Sequence, residues 1–109
     1  MMADIKNLES IMGLIMHGGD AKGNAVEAIR SAKKGDFEEA HDYLKKANVA
    51  LNIAHNSQTS MLAQEASGDA LELSLLMVHG QDHLMTALTF IDLAKEVVEV
   101  YERIEKLGG

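Results

Sequence analysis

Two short stretches, KKGDFEEA (Lys33 to Ala40) and ASGDALEL (Ala66 to Leu73), punctuate the chain with one grammar and so limit how it can be divided. Gly35 and Gly68 can take the left-handed conformation that closes a helix. Asp36 and Asp69 follow as N-caps of the next helix, each with a glutamate three residues on, Glu39 and Glu72, to complete a capping box. No proline occurs anywhere in the 109 residues, so the commonest helix breaker is missing. Two tight turns in an otherwise unbroken chain predict a single all-α domain, 1–109, folded as an antiparallel three-helix bundle with helices over about residues 4–34, 37–67 and 70–107.

Apolar spacing between the breaks is helical. It marks Ile5, Leu8, Met12, Ile15, Ala25, Ile29 and Ala32 as the inward face of the first helix. The second gives Phe37, Ala40, Leu44, Ala47, Leu51, Ala54 and Met61, and the third Leu71, Leu75, Val78, Met85, Leu93, Val97, Val100 and Ile104. Helices of about 30 residues are roughly 45 Å long, and three of them enclose only a thin core. The apolar content, 47% of residues, exceeds what such a core hides, so self-association is expected. The first helix has one weak point, MHGGDAKGN, where Gly18, Gly19 and Gly23 each lower helix propensity by about 1 kcal/mol relative to Ala. Close helix packing is the favoured explanation, a backbone-lined pocket near His17 the other.

Charge and composition remove several function classes. The net charge of −7 is the wrong sign for gripping a phosphate backbone, so nucleic acid is not an expected partner. Cysteine is absent, which excludes disulfides, thiolate zinc sites and a nucleophilic thiol; any metal must use His and carboxylates. No apolar run approaches the roughly 20 residues of a membrane span, and MMADIKNLESIMGL lacks the basic start and small-residue cleavage site of a signal peptide, so a cytoplasmic location is expected.

The chemistry-bearing residues concentrate in LLMVHGQDHLMTALT (Leu75 to Thr89), where polar side chains interrupt an apolar seam. On a helix His79 and His83 share a face, and Asp82 falls on the line Leu71, Leu75, Val78, Asp82, Met85. Three readings compete. The histidines can be surface or hydrogen-bonded structural residues with Asp82 paired to one of them. His-x-x-x-His is also zinc-ligand spacing, and HGQDH resembles the inverted zinc-protease pattern, but with the shorter Asp82 where that pattern needs a glutamate and with no third ligand at hand. Or a histidine carries a phosphoryl group: imidazole is partly neutral, hence nucleophilic, at cellular pH, and exchange between two carriers needs a reachable ring nitrogen and a few donors rather than a deep pocket.

The stretches GLIMHGGDAKGNAVEAI, AKKGDFEEAHDYLKKA, AHNSQTSMLAQEASGD and above all SLLMVHGQDHLMTALT resemble the IIA component of the lactose/cellobiose (chitobiose) class of the bacterial sugar phosphotransferase system, over about Asn7 to Tyr101. The resemblance implies that His79 accepts a phosphoryl group from the histidine phosphocarrier protein and passes it to a cysteine of the cognate IIB component. Uptake of a β-linked disaccharide by a membrane IIC component would follow. It implies a homotrimer in which three copies of Asp82 meet on the axis around a structural divalent cation of the magnesium type, with no organic cofactor. His83, Gln81, His17, Gln58 and Glu65 match recurrent positions and are possible supporting groups, although Gln81 points away from His79 on an ideal helix. His41 has no match and reads as a solvated surface residue, and His55 beside Gln58 as a structural hydrogen bond. Gly80 departs from the family, which more usually has Ala there. The alternative from another class is a non-catalytic helical adaptor that keeps the fold alone. Sugar identity is not legible, because a IIA component handles only phosphoryl groups.

Overall fold

A computed structural model describes residues 7–108. Three helices follow one another, α1 (Leu8–Lys33), α2 (Phe37–Ala66) and α3 (Leu75–Gly108), with no strand among the described residues. They form a rod of 58 × 26 × 18 Å. α1 packs along both partners, whereas α2 and α3 touch less. Asn7 pairs with Gln64 across α1 and α2, and His41 with Glu102 across α2 and α3, so α2 runs antiparallel to both neighbours. α1 and α3 are consequently parallel. Of the sequence expectations for α1, Ile5 and positions 4–6 lie outside the described residues.

The first turn forms as the sequence dictates. Gly35 has φ +83°, its N–H bonds to the Ala32 carbonyl at 3.0 Å, and the Asp36 N–H bonds to the Ser31 carbonyl at 3.0 Å. Asp36 Oδ1 then accepts from the Glu39 N–H at 3.1 Å. The Asp36 N–H is already used by Ser31, so Asp36 caps α2 without the reciprocal half of a capping box.

At the second turn only the first half of the grammar holds. Gly68 closes α2 with φ +98°, and the Asp69 N–H bonds back to the Gln64 carbonyl at 3.2 Å. Residues 69–74 are not helical, however, and α3 is capped by Ser74, whose Oγ accepts from the Met77 N–H at 3.1 Å. The expected start near residue 70, with Asp69 and Glu72 as the box, is therefore corrected. α2 and α3 touch less than α1 and α2 do, and the segment between them folds Leu71 against the Met61 and Met77 cluster.

The core is narrow and rich in alanine. One part gathers Ala21, Ala25, Ala28 and Ala32 of α1, Ala40, Leu44, Ala47 and Ala50 of α2, and Ala87, Ile91, Ala94 and Val98 of α3. A second, around Ile11, Leu14, Ala54, Met61, Met77 and Leu84, lies beneath the histidines. α2 buries the face its sequence predicts, Phe37 and Leu51 only partly, but α3 buries a different one from that expected. Its inward residues are Met77, Gly80, Leu84, Ala87, Ile91, Ala94 and Val98, whereas Leu75, Val78, Met85, Leu93, Val100 and Ile104 face outward, with Leu75 86% and Leu93 61% exposed. Met12 of α1 is likewise exposed. Gly80, Ala87 and Ala94 suit this inner face because α1 presents alanines and Gly18, and helices approach closely only where both surfaces are low; Met77, Leu84, Ile91 and Val98 fill the core between them.

Candidate functional site

His79 and His83 lie one turn apart in the N-terminal part of α3, the first exposed and the second half-buried. Their Nε2 atoms are 3.1 Å apart, and the rings meet edge to face with centroids separated by 4.5 Å and planes at 89°. Two imidazoles at that distance share one hydrogen: one Nε2 donates and the other accepts with its lone pair, which requires that ring to carry its proton on Nδ1. One turn on, the Thr86 hydroxyl donates to the Asp82 carbonyl at 2.7 Å and lies 3.4 Å from the His83 carbonyl.

Gln81 projects from a different side of the helix, as its position two residues from His79 requires. Its Oε1 accepts from Gln58 Nε2 at 2.7 Å, and its own amide nitrogen lies 4.0 Å from Met77 Sδ. Gln58, Gln81 and Glu65 line one groove with Leu71 and Met77, between α2 and the start of α3. Gln58 is thus tied to Gln81 rather than to His55, which is exposed and forms no hydrogen bond among the described residues, so that expectation is corrected.

His17 stands elsewhere, in the groove between α1 and α2, where it joins a hollow bounded by Met12, Met16 and Ser57 to one bounded by Asn24, Lys45 and Val49. His41, half-exposed as expected for a surface residue, adds a 3.2 Å contact to Glu102 that links the start of α2 to the end of α3. The residues nominated from the sequence therefore fall into separate places: the His79–His83 pair, the Gln58–Gln81–Glu65 groove, and His17.

Asp82 lies on the outward stripe of α3, exposed, with no side-chain hydrogen bond or ion pair among the described residues. The inward line Leu75, Val78, Asp82, Met85 expected from the sequence is corrected, and with it the reading that pairs Asp82 with a histidine: Leu75, Val78 and Met85 face away from the bundle, and His79 and His83 contact each other. No three His, Asp or Glu side chains gather as a metal site would need among the described residues of one chain.

Two glycines hold this region of α3 against α1. A Cβ on Gly18 would lie 3.0 Å from the His83 carbonyl oxygen, and one on Gly80 would lie 3.3 Å from the Ile11 carbonyl oxygen. The MHGGD weak point of α1 is thus close packing at Gly18, while Gly19 and Gly23 face open space.

The comparisons with known proteins agree with this architecture. Residues 9–102 match the family described as the PTS system, lactose/cellobiose-specific IIA subunit. The chain is 48% identical over 99 residues to the lichenan-specific phosphotransferase enzyme IIA component of Bacillus subtilis, covering 91% of this chain and 90% of that one. It is 50% identical over 97 residues to the cellobiose-specific EIIA component of Lactococcus lactis, covering 89% and 84%. Among solved structures, the cellobiose-specific enzyme IIA of Bacillus anthracis superposes with a TM-score of 0.90 at 39% identity, covering 93% of each chain. The IIA(Chitobiose)–HPr complex of the Escherichia coli phosphotransferase system superposes with a TM-score of 0.79 at 36% identity, covering 92% of this chain and 97% of that one. No described helix is long and apolar enough to cross a membrane. With its three-helix fold and nearly its whole length in common with these proteins, the chain belongs to the lactose/cellobiose-specific IIA family of the sugar phosphotransferase system.

Proposed function

We propose that His79 is the phosphoryl carrier of this chain, accepting the group from the histidine phosphocarrier protein and passing it to a cysteine of a cognate IIB component during uptake of a cellobiose-, chitobiose- or lactose-type disaccharide. The observation that carries the reading is the exposed His79 ring with its Nε2 held 3.1 Å from His83 Nε2. An exposed imidazole is reachable by a protein donor, and a neighbouring ring that donates to its Nε2 keeps the lone pair there and the proton on Nδ1, the tautomer ready to attack. In the first step a bond forms between that nitrogen and phosphorus while the donor's nitrogen–phosphorus bond breaks, its electron pair returning to the donor ring. The His83 N–H, released from the lone pair it was bound to, then lies beside the phosphoryl oxygens and can donate to them. In the second step the IIB sulfur attacks phosphorus and the electron pair returns to His79. That the similar chitobiose IIA was solved in complex with HPr supports the choice of donor.

Assembly belongs to the same reading. The outward stripe Leu75, Val78, Met85, Leu93, Val100 and Ile104 repeats at helical spacing along α3 and suits packing of α3 against its copies in a homotrimer. Asp82, free of partners in its own chain, sits on that stripe, so three copies would meet near the axis. Their like charges require a cation or bound protons, and a hard divalent ion such as magnesium accepts carboxylate oxygens. The donor set therefore fits a structural cation, which would supply charge neutralisation at the assembly axis and nothing to the transfer. We place the protein at the cytoplasmic face beside its IIB and membrane IIC partners.

The deciding experiment is incubation with the phosphorylated carrier and detection of an acid-labile label. His79→Ala is expected to abolish labelling while leaving helicity intact. A variant that still accepts label would refute the assignment, and an unlabelled wild-type chain that still binds the carrier would favour the adaptor alternative.

A further inference from the structure

Among the described glycines, Gly18 makes the closest approach to another helix. A Cβ built there would lie 3.0 Å from the carbonyl oxygen of His83, 3.1 Å from its carbonyl carbon and 3.2 Å from its Cβ. Gly19 and Gly23 on the same helix meet nothing within 4 Å, so packing makes no demand on them. On the facing helix Gly80 makes the reciprocal approach, with 3.3 Å to the Ile11 carbonyl and 3.4 Å to the Leu14 side chain. The stretch 80–83 is therefore clamped to α1 by one glycine from each helix, and His83 leaves α3 at the clamp.

We propose that Gly18 is a positioning residue of the phosphoacceptor site, acting through His83: by admitting the His83 backbone so close to α1 it keeps the turn from His79 to His83 undistorted, with His83 Nε2 in reach of His79 Nε2. The proposal rests on the assignment of His79 as the carrier. A methyl at position 18 would press on a backbone carbonyl inside a helix, which has no rotamer by which to swing aside, so the His83 turn of α3 must move outward while Gly80, packed on Ile11 and Leu14, holds the preceding turn with His79. The ring contact has little slack for such a shift, since at 3.1 Å it is already at the long side of an N–H bond and near 3.6 Å the bond is lost. Losing it frees the His79 tautomer and removes the donor that would face the phosphoryl oxygens. Bulk at Gly18 is thereby felt at a nitrogen on another helix.

The test uses the full chain. In the wild type, nitrogen NMR is expected to show a coupling through the Nε2···Nε2 bond and a His79 ring protonated on Nδ1; two rings both protonated on Nε2, with no coupling, would overturn the proposal. Gly18→Ala is expected to lose the coupling and to slow acceptance of label from the phosphorylated carrier by roughly tenfold or more, as small displacements of reacting groups do. Gly19→Ala and Ile91→Val, the second a core change in the alanine-rich part of the bundle, should leave both readouts at wild-type values. In a His83→Ala background Gly18→Ala should slow transfer no further, whereas equal slowing in both backgrounds would assign Gly18 a general structural role and overturn the proposal. If Gly18→Ala folds only in a stabilising osmolyte, the refolded variant should still lack the coupling, and a wild-type coupling there would also overturn it. A wild-type chain that shows the coupling but takes no label would refute the carrier assignment, not the positioning of His83 by Gly18, which the coupling in Gly18→Ala decides.

Discussion

Gln58 Nε2 donates to Gln81 Oε1 at 2.7 Å, joining α2 to α3 at the level of the histidines but on another side of α3. Packing between these two helices is sparse, so this bond carries a larger share of their alignment than it would in a thicker core. Gln58→Ala and Gln81→Ala are each expected to destabilise the protein by about 1 kcal/mol, the usual net worth of such a bond. The double variant should lose little more than either single one, as coupled partners do. Urea unfolding of the set provides the check, and strictly additive losses would show that the bond contributes nothing in solution.

The cap of α3 separates the structure from the sequence expectation directly. Ser74→Ala removes the oxygen that accepts from the Met77 N–H and should cost about 1 kcal/mol, as should Asp36→Ala at the start of α2. Glu72→Ala should change stability by less than about 0.5 kcal/mol, because residue 72 precedes the helix and is exposed. Thermal denaturation compares the three; a larger loss at Glu72 than at Ser74 would restore the earlier helix start.

Glycine replacements in the two kinds of site should differ in effect. Gly19→Ala adds a methyl in open space within a helix and should stabilise by about 0.5–1 kcal/mol. Gly80→Ala gains the same propensity, yet its methyl would lie 3.3 Å from the Ile11 carbonyl, and crowding of that kind costs about 1–3 kcal/mol. We expect Gly80→Ala to be neutral to destabilising, read from the shift in denaturation midpoint against Gly19→Ala.

Asp82→Leu tests the proposed axis. Replacing a free carboxylate on an apolar stripe should preserve or strengthen the trimer and abolish any dependence of assembly on divalent cation, since apolar replacements of buried ionic groups are often neutral or stabilising. Leu93→Glu on the same stripe should weaken assembly. Sedimentation with and without chelator distinguishes these outcomes, and a monomeric Asp82→Leu protein would contradict the arrangement.

The sequence by itself determined the three helices, the two glycine closures, the buried face of α2 and the family, because these depend on local backbone preference and on residue identities read in order. It also placed His79 and His83 one turn apart, since that follows from helical spacing alone. The inward face of α3 was decided only by tertiary structure. α3 carries two apolar stripes back to back, one of large residues through Leu75, Val78, Met85 and Leu93 and one in which Gly80, Ala87 and Ala94 alternate with Met77, Leu84, Ile91 and Val98. Hydrophobicity favours the first, and the low alanine surface of α1 selects the second. The start of α3 was decided in the same way: Asp69 and Ser74 are both competent caps in isolation, and with Leu71 packed on the Met61 and Met77 cluster the helix begins at the later one. The contact of Gly18 with His83 joins positions far apart in the chain, and no local pattern encodes such a meeting before the helices have packed.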